Sequence, residues 1–185
     1  MMSDERQVNR EENFIEIITF LIEGIATHKA MQELLKNHKA NNAFIIIFNN
    51  NFMMIIIRLS NIFGVDGEDN HWKKLFSDYD EFRKNVILKV FDNIDEYKKY
   101  CKNLVEIRNR YIVHFKVGKD KYYSASNLEL TFPVLDKAKV LLKNSLIFLL
   151  KYYDYTIEHE PNSEFDMLFK NTYDNAIELF EKKFN

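Results

Sequence analysis

The chain has 185 residues, with 26 Lys or Arg against 28 Asp or Glu, so its formal charge of −2 says nothing by itself about nucleic acid. Apolar residues make up 46%, enough for a real core, while four Gly and two Pro are too few for a turn-rich all-β fold. The single cysteine, Cys101, excludes an intrachain disulfide framework and a CxxC metal knuckle, and suits a reducing compartment.

The charged, polar opening from Met1 to Glu12 does not read as a signal peptide, which points to a cytoplasmic protein. A first helix is predicted with Ser3 or Asp4 as its cap, because Phe14, Ile17, Ile18, Leu21 and Ile25 recur at helical spacing. It either continues or kinks through Met31, Leu34 and Leu35, and a polar break follows from Asn37 to Asn42. The second helix, Ala43 to Phe63, is apolar on most faces and so is expected to be central. Asn49, Asn50, Asn51 and Arg58 interrupt it, which favours a core helix over a membrane span.

Gly64 to Asn70 reads as a loop, followed by a short helix from Trp72 to Phe76. A third long helix starts near Asp80 and carries Phe82, Val86, Val90 and Phe91. Asn93 and Glu96 have capping-box spacing and open a fourth, which runs to about Phe115. Lys116 to Leu130 has little helical periodicity and reads as a loop. Thr131 then caps a fifth helix, with Pro133 in its first turn, extending to about Ile157. After a break at Glu158 to Asn162, Ser163 caps a sixth carrying Phe165, Leu168, Phe169, Tyr173, Ile177 and Phe180. The expected fold is all-α: an up-and-down bundle of about five to seven helices. Residues 1–185 read as a single domain, with 163–185 as a C-terminal helix packing on the bundle.

The stretch from Leu104 to Phe115 concentrates the chemistry. On a helical wheel Tyr97, Tyr100, Cys101, Leu104, Val105, Ile107, Tyr111, Ile112 and Phe115 fill one broad arc. Arg108 falls near the middle of that arc and His114 at its edge, with Arg110 the i,i+4 neighbour of His114. Arginine keeps its proton, so burying it without a partner costs several kcal/mol, roughly. Two readings follow: a structural ion pair with a carboxylate on another helix, or a guanidinium that lines a polar site and meets phosphate. From Lys98 to Lys121 there are eight basic residues and two acidic ones, a local charge of +6. That zone is either a solvated lysine-rich face or a surface for a polyanion, with Arg110, Lys116, Lys119 and Lys121 as candidate RNA contacts.

The run Arg108-Asn109-Arg110-Tyr-Ile-Val-His114 resembles the signature of the HEPN superfamily: an arginine, usually a polar residue after it, and a histidine a few positions on. Its setting is similar to bacterial abortive-infection and toxin HEPN proteins. An apolar helix ends in Arg58-Leu-Ser-Asn-Ile-Phe63, then come a loop, a Trp segment and, beyond the motif, another long apolar helix. The likeness covers Phe14 to Tyr155. It implies a HEPN-like helical bundle that forms a homodimer, with the motifs meeting in a composite site across the interface. It implies a metal-independent endoribonuclease, without cofactor, acting on RNA in phage defence or as a toxin, and a possible protein antitoxin. The catalytic residues carried over are Arg108, His114 and Asn109. The tyrosine that some HEPN toxins carry two positions after the histidine is Lys116 here, so control by its modification is not expected.

Those residue types fit that reaction. A 2′-hydroxyl attacking its own phosphate needs proton transfer, for which imidazole is suited, and positive charge on the phosphorane, which guanidinium supplies. On an ideal helix Arg108 and His114 lie about 120° apart, which favours a site shared by two subunits and makes Arg110 a rival phosphate contact. Alternatives are a non-catalytic RNA- or nucleotide-binding helical dimer, and a structural dimer in which Arg108 only completes an ion pair.

No other motif competes. His28, His38, His71 and His159 lack metal-ligand spacing and read as surface or cap-region residues. Cys101 reads as a small buried hydrophobe. Asn49 to Asn51 with Arg58 read as a polar patch facing the fourth predicted helix. No phosphate-binding loop, dinucleotide fingerprint or nucleophile elbow occurs.

Overall fold

A computed structural model describes residues 2–37, 42–64, 66–113, 132–152 and 161–184, with side chains for 10–36, 42–64, 66–109, 134–152 and 163–182. Among the described residues there are seven α-helices and no strands. They are α1 (Met2–Asn37), α2 (Asn42–Leu59), α3 (Trp72–Leu75), α4 (Tyr79–Asn85), α5 (Ile94–Val113), α6 (Phe132–Tyr152) and α7 (Pro161–Phe184).

Helix α1 is the axis of the bundle, packed by α2, α6 and α7. It runs unbroken past Met31 and Leu34, both buried, because the spacing that begins at Phe14 keeps one stripe facing inward along its length. Helix α2 lies antiparallel to it: Arg58 sits over Phe20, Ile55 meets Gly24, and Phe48 and Phe52 meet His28. The approach is closest at Gly24, where a Cβ would come within 3.2 Å of Ile55 Cγ1. Asn51 uses that proximity to donate its side-chain amide to the Gly24 carbonyl at 3.0 Å. The asparagine patch therefore bonds to α1 through Asn51, and Asn50 is exposed.

Segment Asn42–Gly64 is long and apolar enough to cross a membrane by length and composition. Its inner face buries Phe44, Phe48, Phe52, Ile55, Ile56 and Leu59, while Ile46, Ile47 and Met54 on the outer side are exposed. The helix is thus packed on one side, less enclosed than its composition led us to expect. Its α-helical ladder stops at Leu59, and Ser60–Gly64 forms a wider π-helical turn. There the Ser60 hydroxyl donates to the Ile57 carbonyl at 2.8 Å, a local bond that competes with the regular ladder.

The aromatic residues build the next layer. Trp72 stacks on Phe82 with ring centroids 4.4 Å apart, and Phe76 stacks on Phe82 at 4.9 Å. Asp78 caps α4 by accepting from the Glu81 backbone N–H at 3.0 Å. The third long helix predicted from Asp80 is shorter than expected: α4 ends at Asn85 and a 3-10 turn, Ile87–Lys89, carries the chain on. Val86, Ile87 and Phe91 are nonetheless buried.

The capping box works with one shift. Asn93 Oδ1 accepts from the Glu96 N–H at 2.9 Å, while Glu96 Oε2 reaches the N–H of Asp92, at 3.3 Å, instead of that of Asn93. Helices α6 and α7 run antiparallel, held by Lys143–Asp166 at 2.7 Å and by Lys139 over the Phe169 ring at 3.5 Å. Helix α7 starts at Pro161, which suits a first helical position, so Ser163 lies inside the first turn and the helix begins two residues before the expected cap. Thr131, the Lys116–Leu130 loop and residues 153–160 lie outside the described residues.

Candidate functional site

Helix α5 is positioned by three contacts along its inner face. Tyr97 accepts a hydrogen bond from the buried Trp72 Nε1 at 3.0 Å and donates its own hydroxyl to the Phe63 carbonyl at 3.4 Å. Tyr100 donates to the Val134 carbonyl of α6 at 3.2 Å. Further along, Gly64 lets the π turn approach closely: a Cβ there would lie 3.0 Å from Val105 Cγ2 and 3.7 Å from the Cys101 carbonyl. Tyr97, Tyr100, Cys101 and Leu104 are buried as the wheel requires, and Lys98, Lys102, Glu106 and Asn109 are exposed on the other side.

Arg108 emerges where this inner face meets the loop after the π turn. Its side chain is 21% exposed, and Nη1 lies 3.4 Å from Glu68 Oε1. Its Nε donates to Asn109 Oδ1 at 3.3 Å. Asn109, which the wheel put away from the apolar arc, thus still orients the guanidinium because the long arginine side chain folds back to meet it. The partner of Arg108 comes from a loop, not from another helix. Arg110 is helical, with its side chain outside the described residues, as are the whole of His114, Lys116, Lys119 and Lys121. On the exposed side, Lys98 pairs with Asp95 at 3.1 Å and Lys102 lies 4.0 Å from Glu106, so part of the local positive charge is compensated within α5.

Glu68 is the residue that sequence reasoning missed. Its loop holds three acids, Asp66, Glu68 and Asp69, just before Lys73 and Lys74, and that alternation of sign was the available signal. Lys73 pairs with Asp66, and Lys74 with Asp69 at 3.3 Å. His71 is 1% exposed and caps α3, its Nδ1 accepting from the Lys73 N–H at 3.3 Å. The proton then sits on Nε2, which faces Asp66 Oδ1 at 3.3 Å. Burial holds the His71 pKa below the usual imidazole value, against the opposing pull of Asp66.

His28 is not a surface residue. It is fully buried, stacked on Phe48 at 4.2 Å, and neither ring nitrogen has a hydrogen-bond partner among the described residues. Burial alone lowers its pKa to about 4. His38 and His159 lie outside the described residues. Cys101 is a buried small hydrophobe as expected, and burial pushes its thiol up to about 11, which keeps it from acting as a thiolate. The two described histidines, His28 and His71, are thus packed away from solvent.

The described clefts lie elsewhere. One of about 450 Å³ runs between α4 and α6, lined by residues that include Asn85, Lys89, Phe148 and Lys151. Another of about 470 Å³ lies around Ser77, Asp80 and Arg83. Neither is lined by Arg108. Comparison with known proteins finds no family model, no curated protein and no solved structure that matches this chain.

Proposed function

We propose that this chain is a HEPN-type, metal-independent endoribonuclease that acts in the cytoplasm in phage defence or as a toxin. The observation that carries the reading is Arg108: a guanidinium on the inner side of α5, oriented by Asn109, only partly buried and, among the described residues, paired with one carboxylate, Glu68, at the long distance of 3.4 Å. Such a group is placed to exchange its carboxylate for a phosphate. The histidine of the motif follows at His114, beyond the described end of α5.

In the reaction, a homodimer brings two motifs into one cleft. His114 takes the proton of the 2′-hydroxyl, and that oxygen forms a bond to the adjacent phosphorus. The bond from phosphorus to the 5′-oxygen breaks, and the leaving oxygen takes a proton from the partner's His114. The ends left are a 2′,3′-cyclic phosphate and a 5′-hydroxyl. Arg108 stabilises the charge that builds on the phosphorane, while Arg110, Lys116, Lys119 and Lys121 hold flanking phosphates. A protein antitoxin would act by covering this cleft.

The Glu68 pair favours a second reading, in which Arg108 serves only to complete a structural ion pair. Arg108→Ala and His114→Ala, made separately, distinguish the two. Under the nuclease reading each variant stays folded and loses RNA cleavage by about a hundredfold or more. A large drop in melting temperature for Arg108→Ala, with no cleavage by the parent to lose, would support the structural reading instead.

A further inference from the structure

The loop from Asp66 to Asn70 is tethered on several sides. Lys73 and Lys74 of α3 hold Asp66 and Asp69, and Lys74 also donates to the Gly67 carbonyl at 2.8 Å. The His71 N–H bonds to the Glu68 carbonyl at 3.1 Å, and Asn13 of α1 donates to Asn70 Oδ1 at 3.0 Å. Its third acid, Glu68, points the other way, toward α5, and meets Arg108. A carboxylate there occupies the guanidinium edge that a phosphodiester oxygen would use, since both anions accept from the same planar donor set.

The geometry of the pair says how firmly it is held. A pair that only neutralised a buried arginine would be short, forked and shielded from water. This one is single, at 3.4 Å, with the two side chains 21% and 38% exposed. It is long for a charge-assisted bond and open to competition from another anion.

We propose that Glu68 is an autoinhibitory latch: it occupies Arg108 in the free protein, and an RNA phosphate must displace it to bind. The inference rests on the reading of Arg108 as a phosphate-binding group. Displacement exchanges one ion pair for another and changes no covalent bond. Because its backbone stays tethered through Lys74 and His71, with Asn13 holding the Asn70 side chain, the displaced carboxylate remains nearby and reoccupies the guanidinium when RNA leaves. Its charge also opposes the approach of any phosphate, so the latch lowers affinity by competition and by repulsion together.

The test uses the full-length chain and a fluorescent 2′-O-methyl oligoribonucleotide, which binds but cannot be cut by 2′-hydroxyl attack, followed by fluorescence polarisation at low salt. Glu68→Gln keeps the side-chain size and removes the charge, and is expected to bind about three- to fivefold tighter than the parent. That gain should fall to the smaller part due to relieved repulsion when Arg108→Ala is combined with it, and an equal gain in both backgrounds would overturn the latch. Glu68→Asp, which withdraws the carboxylate while keeping the charge, is expected to give a smaller gain, and it serves as the test if Glu68→Gln does not fold. Unchanged or weaker binding by these variants, with Arg108→Ala still weaker than the parent, overturns the latch and leaves the phosphate-binding reading intact. Equal binding by the parent and Arg108→Ala overturns both.

Discussion

Two buried imidazoles, His28 and His71, have lowered pKa values for the same first reason, loss of solvation, yet their surroundings differ. His71 has a backbone donor on one nitrogen and a carboxylate on the other. His28 packs against the Phe48 and Phe52 rings with neither nitrogen hydrogen-bonded among the described residues, and its pKa falls from 6.5 to about 4. Between those two values the unfolded chain binds the proton and the folded chain does not, so stability rises with pH across that window. The contribution is fully present above the unfolded value, is lost as pH falls toward the folded one, and amounts to about 3 kcal/mol. His28→Leu removes the titration and two unpaired buried nitrogens. Urea midpoints between neutral and mildly acid pH should therefore vary less for this variant than for the parent. An unchanged pH slope would show that His28 is not the group responsible. His28 was readable in advance, since it continues the Leu21–Ile25 spacing; a general expectation about lone histidines obscured it.

At the scale of elements, the features that depend on neighbours in sequence were legible. The Asn93–Glu96 cap, the loop after Gly64 and the Trp72 helix all follow from local hydrogen bonding and turn chemistry. What was not legible depends on packing between distant segments. The π turn at Ser60–Gly64 exists against α5, which comes within van der Waals reach of Gly64, and no periodicity within α2 announces it. The Arg108–Glu68 pair likewise joins residues 40 positions apart through a loop. Tyr97 is the link that holds this corner together, joining α3, the π turn and α5 through one hydroxyl. Tyr97→Phe leaves the Trp72 Nε1 donor buried without its acceptor. A loss of about 1–3 kcal/mol is expected, read as a lower urea midpoint at unchanged slope. A midpoint equal to the parent's would mean that this hydroxyl does not fasten the α3 corner to α5.

For the molecule as a whole, the all-α bundle was legible because low Gly and Pro content and long helical periodicity leave few other architectures. Of the candidate site, the inward placement of Arg108 was also legible, since a wheel reports which side of a helix faces the core. The carboxylate it meets was not. The central claim concerns the whole assembly: that the Arg108–His114 motif cuts RNA by using the RNA's own 2′-hydroxyl. The most direct measurement incubates the full-length chain, with a chelator present, with an RNA oligonucleotide and its 2′-deoxy counterpart, and maps the product ends. The account expects cleavage of the RNA alone, with 2′,3′-cyclic phosphate and 5′-hydroxyl ends. Equal cleavage of the deoxy strand, or ends carrying a 5′-phosphate, would contradict it.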